Sequence, residues 1–303
     1  MGETALVAEQ LSRDSLFQAR VRTDFIPSAA WILAPVASFT LWVTIALLPV
    51  AVPTTNTSFP SFLLPTLVLL GLLMSALTGY LVYILVDRRN NHLGRTEAIY
   101  GSTLESVRAK TPPEDLKTLL PLSSAEHNFS RLVQQSGERS AVLWGLMATL
   151  PYVGWLALIY VLWFLSHDME KHETREELIL QDLERSIVAT GGPGMPRREI
   201  RSPFGNAAAY AVLSLTLLVI ASFGAIAAWR SLILMAVLSP TPTPSLDSLL
   251  ILTTSMVSLG VVLNGWLYQT TRGPISHFAH HQQLEATLLK LELIGTSQPG
   301  GSF

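Results

Sequence analysis

The sequence predicts an all-α, multi-pass transmembrane helix bundle, and three observations predict it. Charged residues make up only 14% of the 303 residues, whereas a soluble domain carries about 25%. The apolar residues come in five long blocks without charge, each long enough to cross about 30 Å of hydrocarbon as a helix. The polar stretches between the blocks show helical spacing of their apolar residues. Because a backbone in lipid must satisfy its own hydrogen bonds, each block should be helical.

The apolar blocks divide the chain into successive segments. Two short loops, at residues 53–60 and 239–247, are rich in Pro and Thr and carry no Lys or Arg, so each closes a transmembrane hairpin. The predicted organisation is an N-terminal segment 1–30, a first transmembrane hairpin 31–86, a helical region 87–140, a third apolar block 141–165, a helix and linker 166–206, a last transmembrane hairpin 207–271, and a C-terminal amphipathic helix and tail 272–303.

The distribution of basic residues predicts the orientation of the chain. Residues 87–140 carry eight Lys and Arg, and residues 166–206 carry six. The positive-inside rule places both segments in the cytoplasm, together with the N-terminal segment and its three arginines. We therefore expect a protein of the cell membrane with a cytoplasmic N-terminus, giving four or five spans.

The third apolar block, residues 141–165, allows two interpretations. A single span would put its two charged flanks on opposite sides of the membrane, in conflict with the basic residues on both. Its centre reads Leu150-Pro-Tyr-Val-Gly154, and a proline disfavours helix at the preceding residue. The block can therefore also turn back as a re-entrant hairpin, which is tolerated where other helices shield its backbone.

An internal repeat marks three points where the chain leaves the apolar blocks. In each copy an aromatic residue precedes a histidine by nine positions. The copies run from Tyr83 to His92, from Trp163 to His172 and from Tyr268 to His277. If the copies are equivalent, all three exits face one side of the membrane, which favours the re-entrant hairpin. The alternative is coincidence, because aromatic residues are common at membrane interfaces.

Amphipathic helices are expected beyond each exit, because apolar residues recur there at intervals of three and four. Such stripes need a partner, either each other or another chain. The stripes comprise Leu93, Tyr100, Leu104 and Val107; Met169, Ile179, Leu183 and Ile187; and Leu284, Leu288 and Leu291. Capping boxes at Thr111–Glu114 and Ser123–Glu126 further predict two short helices in the 87–140 region.

Within the apolar blocks, small and polar residues stand out. Gly71, Ser75 and Gly79 share one helix face, where small side chains let helices approach closely. Arg230 follows a tryptophan at the expected end of the fourth span, a position typical of a side chain that reaches the membrane interface. Asn264 is expected to donate a hydrogen bond between helices.

Two histidine motifs follow the third and fifth blocks. His167 and His172 form an HxxxxH pair, and His277, His280 and His281 form HxxHH. Together they resemble the histidine boxes of membrane fatty-acid desaturases and hydroxylases, which implies iron held by imidazoles at the cytosolic membrane face. The chain offers fewer boxes than that family, and Glu170, Glu173 or Glu176 would have to replace the missing ligands. The sequence thus predicts a divalent-metal site as one possibility.

The remaining features of the sequence lead to three functional hypotheses. A net charge of −2 gives no signal for nucleic acid, and the absence of cysteine excludes thiol chemistry. No cofactor is expected beyond a possible divalent metal. The first hypothesis is a non-enzymatic scaffold or assembly subunit, with the lipid bilayer, itself or other membrane proteins as partners. The second is an oligomeric channel, and the third is a metal-dependent membrane enzyme.

Overall fold

The computed structural model describes residues 29–51, 62–135, 137–189, 194, 206–238 and 246–274, and the single residues 277, 281, 284 and 288. The described part is all-helical, as the sequence predicts. Its helices are α1 (Ala29–Ala51), α2 (Leu63–Lys110), α3 (Leu116–Gln135), α4 (Ala141–Thr149), α5 (Val153–Ala189), α6 (Ala207–Leu238) and α7 (Leu246–Arg272).

Three of these helices are long and apolar enough to cross a membrane, judged over the described residues. They are α2, the part of α6 from Ala207 to Arg230, and the part of α7 from Leu250 to Arg272. A shorter apolar stretch, Leu33–Ile45, lies in α1. Many leucines of these helices are exposed, such as Leu69 at 69%, as expected of side chains that face lipid. The structure therefore supports membrane association through three long apolar helices.

The third apolar block folds back on itself as a helical hairpin. Its first half is α4, and its second half begins α5 after a turn at Pro151 and Tyr152. Tyr152 has a φ of 63°, in the left-handed region. A Cβ on Gly154 would lie 2.6 Å from the Ala148 carbonyl oxygen, so the turn requires glycine there. The Trp144 and Tyr160 rings, one on each arm, lie 4.9 Å apart.

The two ends of this hairpin lie side by side, next to the point where α2 leaves its apolar half. Arg139, just before α4, contacts Asp168 of α5 through Nε at 3.3 Å. Arg89 of α2 donates from Nη1 to the Gly137 carbonyl at 2.8 Å and from Nη2 to Asp168 Oδ2 at 2.7 Å. Asn90 Nδ2 donates to the Arg139 carbonyl at 2.6 Å. We call Arg89, Arg139 and Asp168 the flank clamp.

The small-residue face of α2 packs against neighbouring helices of the same chain. Gly71 faces the indole of Trp42 in α1. Ser75 lies 2.9 Å from the Ser38 hydroxyl and accepts a hydrogen bond from Trp42 Nε1 at 2.8 Å. Gly79 meets α4, where an added Cβ would lie 2.6 Å from the Gly145 carbonyl oxygen. Backbone contact at Gly79 therefore sets how closely α2 and α4 approach.

We expect Gly79→Ala to destabilise the protein by about 1–3 kcal/mol, because an added methyl group in a tightly packed contact forces the backbones apart. Gly94→Ala is the matched control in the same helix, since a Cβ there meets nothing within 4 Å. In that open position alanine should raise stability by about 0.5–1 kcal/mol. Thermal unfolding in detergent measures both, and equal behaviour of the two variants would contradict the packing of α2 on α4.

The two polar residues noted in the last apolar blocks lie in different surroundings. Arg230 is exposed at the end of the apolar part of α6, eight residues before the helix itself ends. Asn264 is partly buried in α7, and its Oδ1 is buried without a hydrogen bond to any described residue. The prediction concerns donation by the side-chain amide nitrogen, which the state of this oxygen does not test, so it stays a prediction.

Beyond the apolar helices, a second core joins α2, α3, α5 and the C-terminal segment; we call this unit the polar bundle. The apolar stripes beyond the three exits pack on each other here, with α3 alongside. Its buried core contains Tyr100, Leu104, Leu122, Ala125, Leu132, Ile179, Leu183, Ile187, Leu284 and Leu288.

The capping-box prediction within the 87–140 region is wrong. A single helix, α3, replaces the expected pair of short helices. Asp115 caps its first turn, because its carboxylate accepts from the Lys117 backbone N–H at 3.2 Å and from the Thr118 hydroxyl at 2.7 Å. Glu126 instead pairs with Arg108. Asp115, the residue just before α3, therefore takes the N-capping role that the sequence pattern assigned to Thr111 and Ser123.

Candidate metal centre

Four buried histidines converge where the apolar helices meet the polar bundle. His92 comes from α2, His172 from α5, and His277 and His281 from the segment after α7. One ring nitrogen of each lies within 4.8 Å of one from every other. His92 Nε2 and His277 Nε2 lie 3.1 Å apart. We call these residues the four-histidine cluster.

The cluster follows from the register of the three exits. His92, His172 and His277 are the histidines that stand nine residues after the aromatic residue in each repeat copy. Because the three chain segments leave the apolar region side by side, equivalent positions meet at the same level. His281 lies one helical turn beyond His277, on the same face. The repeat thus accounts for the positions of three of the four imidazoles, and helical spacing from His277 accounts for the fourth.

Two buried glutamates of α5 complete the cluster. Glu176 contacts three imidazoles: its Oε1 meets His281 Nε2, and its Oε2 lies 3.7 Å from His277 Nε2 and 3.8 Å from His172 Nε2. Glu173 Oε1 lies 3.4 Å from His277 Nδ1.

Tyr100 of α2 holds one of these carboxylates in place. The Tyr100 hydroxyl donates to Glu176 Oε1 at 2.6 Å, and its ring is buried. A neighbouring donor of this kind fixes the orientation of a carboxylate that faces a cluster of ligands.

The electrostatics leave two of the imidazoles neutral and one carboxylate charged. Burial, and then the neighbouring histidines, hold the pKa of His92 well below its usual value. Burial lowers the pKa of His172 to about 4, although Glu176 opposes the shift. Burial alone would raise the pKa of Glu176, but His281, His277 and His172 outweigh it and lower that pKa. Neutral imidazole and ionised carboxylate are the forms that bind metal.

The distances fit a single ion. Two imidazole nitrogens bound to one ion at about 2.1 Å each lie about 3.0–4.2 Å apart, depending on the angle between them. The 3.1 Å pair falls in this range, and the widest separation of 4.8 Å would close by about 0.6 Å for ligands opposite each other and by about 1.4 Å for a tetrahedral ion. Both ring nitrogens of His172 are buried without a hydrogen bond to a described residue. An ion would supply the partner that this imidazole lacks.

The structure sorts the histidines noted in the sequence. His172, His277 and His281 lie in the four-histidine cluster. His167 does not, since its ring stacks on Trp163 with centroids 5.3 Å apart. His280 lies outside the described residues. His92 was missed as a ligand candidate, although the repeat pointed to it as the counterpart of His172 and His277.

Comparison with known proteins gives no relative. A scan against protein-family models, a search of curated proteins and a search of solved structures each return no match. The resemblance to membrane desaturases thus rests on the histidine motifs alone, and one of their histidines, His167, lies outside the cluster.

Proposed function

We propose that this protein is an integral membrane protein that binds one transition-metal ion in the four-histidine cluster. The observation that carries the proposal is the convergence of four buried imidazoles from three separate chain segments around the Glu176 carboxylate. Buried polar groups ordinarily have partners, and His172 has no hydrogen-bond partner among the described residues. An ion would also balance the buried charge of Glu176.

The ligand set narrows the choice of metal ion. Imidazole and carboxylate without thiolate suit the divalent ions Fe²⁺, Co²⁺, Ni²⁺, Cu²⁺ and Zn²⁺, rather than Mg²⁺ or Ca²⁺, which prefer oxygen ligands. His172, His277 and His281 have side chains no more than 5% exposed, and Glu176 is 6% exposed. A catalytic ion keeps an open position for substrate, whereas a structural or regulatory ion is enclosed. The enclosure of the cluster favours the second class.

In the proposed membrane placement, the apolar helices α1, α2, α6 and α7 span the bilayer. The α4–α5 hairpin enters and returns, because the flank clamp joins its two ends. The polar bundle and the N-terminus then lie in the cytoplasm, in keeping with their basic residues, and the metal ion sits just inside the cell membrane.

The three functional hypotheses raised by the sequence gain less support. The scaffold hypothesis requires apolar stripes that are free to bind another protein. The stripes instead pack on each other in the polar bundle. No feature of the described residues favours a channel. The enzyme hypothesis is compatible with the clustered histidines. However, a catalytic ion needs an open coordination position that substrate can reach, and the cluster is enclosed.

Metal content and affinity test the proposal. Full-length protein purified in detergent, stripped with chelator and reloaded with Zn²⁺ or Fe²⁺, should retain one ion per chain by elemental analysis. His172→Ala or His92→Ala should weaken binding by at least about 100-fold, because each removes a direct ligand. His167→Ala, in the same helix as His172, and His127→Ala, exposed in α3, are matched controls that should bind as the parent protein does.

Two outcomes would reject the proposal. One is wild-type protein that retains no ion of either metal after desalting. The other is equal affinity in His172→Ala and His167→Ala, which would place the bound ion elsewhere. Circular dichroism of each variant checks that the helices remain intact.

A further inference from the structure

We propose that the bound ion locks the C-terminal segment onto the polar bundle, so that metal availability regulates whether this segment is docked. The inference rests on the proposed metal site and concerns its consequence. Two of the four imidazoles, His277 and His281, belong to the segment after α7, and the other two belong to α2 and α5. A single ion bound by all four therefore joins the C-terminal segment to two helices that precede it in the chain.

The C-terminal segment begins at a break in the helix. Helix α7 ends at Arg272 and is followed by Gly273 and Pro274. Proline has no backbone N–H, so the Thr270 carbonyl lacks its usual helical donor. Arg88 of α2 supplies donors instead, from Nη2 to Thr270 O at 3.1 Å and from Nη1 to Thr271 O at 3.4 Å. The break is thus satisfied by contacts that do not involve the metal cluster, and it can act as a hinge.

Beyond the hinge, the described contacts of the segment fall into two groups. His277 and His281 face Glu173 and Glu176 at the cluster. Leu284 and Leu288 are each 1% exposed and cover the apolar core of the polar bundle. Among its described residues, two leucines and the two cluster histidines hold the docked position, and the ion would tie the histidines to α2 and α5.

Mass action gives the size of the effect. An ion that needs His277 and His281 binds only the docked state. At a free concentration about 1,000 times its dissociation constant, it therefore shifts the docking equilibrium about 1,000-fold toward that state. Removal of the ion should return the segment to an equilibrium set by the leucines and by the histidine–glutamate contacts. Undocking would then expose the apolar surface formed by Tyr100, Ile179 and Leu183.

Cysteine labelling of the full chain tests the lock directly, since the protein has no cysteine of its own. Leu288→Cys places a thiol on the buried face of the docked segment. In detergent-purified protein its reaction with a maleimide should be slow with Zn²⁺ bound and at least about 10-fold faster after chelation. Val161→Cys, in the buried core of the apolar helices, should stay slow in both states, and Ser102→Cys, exposed on α2, should stay fast in both.

A second measurement needs no substitution. Hydrogen exchange followed by mass spectrometry on the unaltered protein should show that peptides containing His277, His281, Leu284 and Leu288 lose protection after chelation, while α4 keeps its protection. Elemental analysis of the same samples reports whether the ion was bound and then removed.

The possible outcomes distinguish failure of the proposed lock from failure of the proposed metal site. If the ion binds and is removed, yet labelling at position 288 and exchange at 277–288 stay unchanged, the lock is wrong and the metal site stands. If Zn²⁺-loaded Leu288→Cys labels as fast as Ser102→Cys while exchange in the unaltered protein is also fast, the segment is not docked and the lock is wrong. If no ion binds at all, the metal proposal itself fails.

Discussion

Replacing Asp168 with alanine should lower the free energy of unfolding by about 3–5 kcal/mol, because it leaves a buried guanidinium without its counter-charge. The Arg89 side chain is 3% exposed and that of Asp168 is 14% exposed. Burial lowers the pKa of Arg89, and Asp168 offsets part of this shift. Asp168 also accepts from Arg139. A single carboxylate therefore compensates two cations at the base of the α4–α5 hairpin.

An exposed ion pair provides the control for this substitution. Arg108 is 63% exposed and Glu126 is 31% exposed, and such surface pairs contribute about 0–1 kcal/mol. Glu126→Ala should therefore change stability far less than Asp168→Ala. Chemical denaturation in detergent, followed by circular dichroism, gives both values. Equal losses would show that the flank clamp is not a buried ion pair.

A double variant separates the charge effect from simple loss of contact. Arg89→Met combined with Asp168→Leu replaces the pair by apolar side chains of similar size, and such replacements are often neutral or stabilising. We expect the double variant to be more stable than Asp168→Ala alone. If it is less stable, the hydrogen bonds of Arg89 to Asn90 and Gly137 contribute more than the buried charge costs.

Much of the helical architecture could be predicted from the sequence, because apolar blocks and stripes are local patterns. Leu284 and Leu288 were expected on a buried face, and both are buried. The hairpin geometry of residues 141–165 was one of two open interpretations, since a local pattern does not say whether two charged flanks meet. The contact between Arg139 and Asp168, which are 29 residues apart in the chain, joins the two ends of the hairpin.

The histidine cluster was predicted only in part, for a geometrical reason that the sequence already contains. Residues five apart on a helix lie about 140° apart around its axis, so His167 and His172 face different sides. Residues four apart, such as His277 and His281, share a face. The HxxxxH spacing was therefore a poor ligand motif. By contrast, the choice of Glu173 and Glu176 among the acids of α5 depends on which face meets α2, which only the packing determines.

Acidification should destabilise the metal-free protein, and the histidine cluster is the cause. An unfolded histidine has a pKa near 6.5, whereas burial holds that of His172 at about 4 and that of His92 well below the usual value. The unfolded chain therefore binds protons between pH 6.5 and 4 that the folded cluster does not. The contribution to stability is complete above pH 6.5 and is lost as the pH falls below it. At pH 5 the loss from His172 is about 2 kcal/mol, and His92 adds to it in the same direction.

Glu176 adds a further loss of stability at low pH, below the range in which the histidines titrate. Its pKa is lowered in the folded state, so its contribution is present above the usual carboxyl pKa and disappears only as the pH falls below that value. Thermal unfolding of the chelated protein between pH 5 and 7.5 should thus report the imidazoles alone. His172→Gln should flatten the dependence by removing one titrating group, whereas exposed His127→Ala should leave it unchanged. A pH dependence that is the same in His172→Gln and in the chelated parent protein would mean that His172 is not buried as a neutral imidazole.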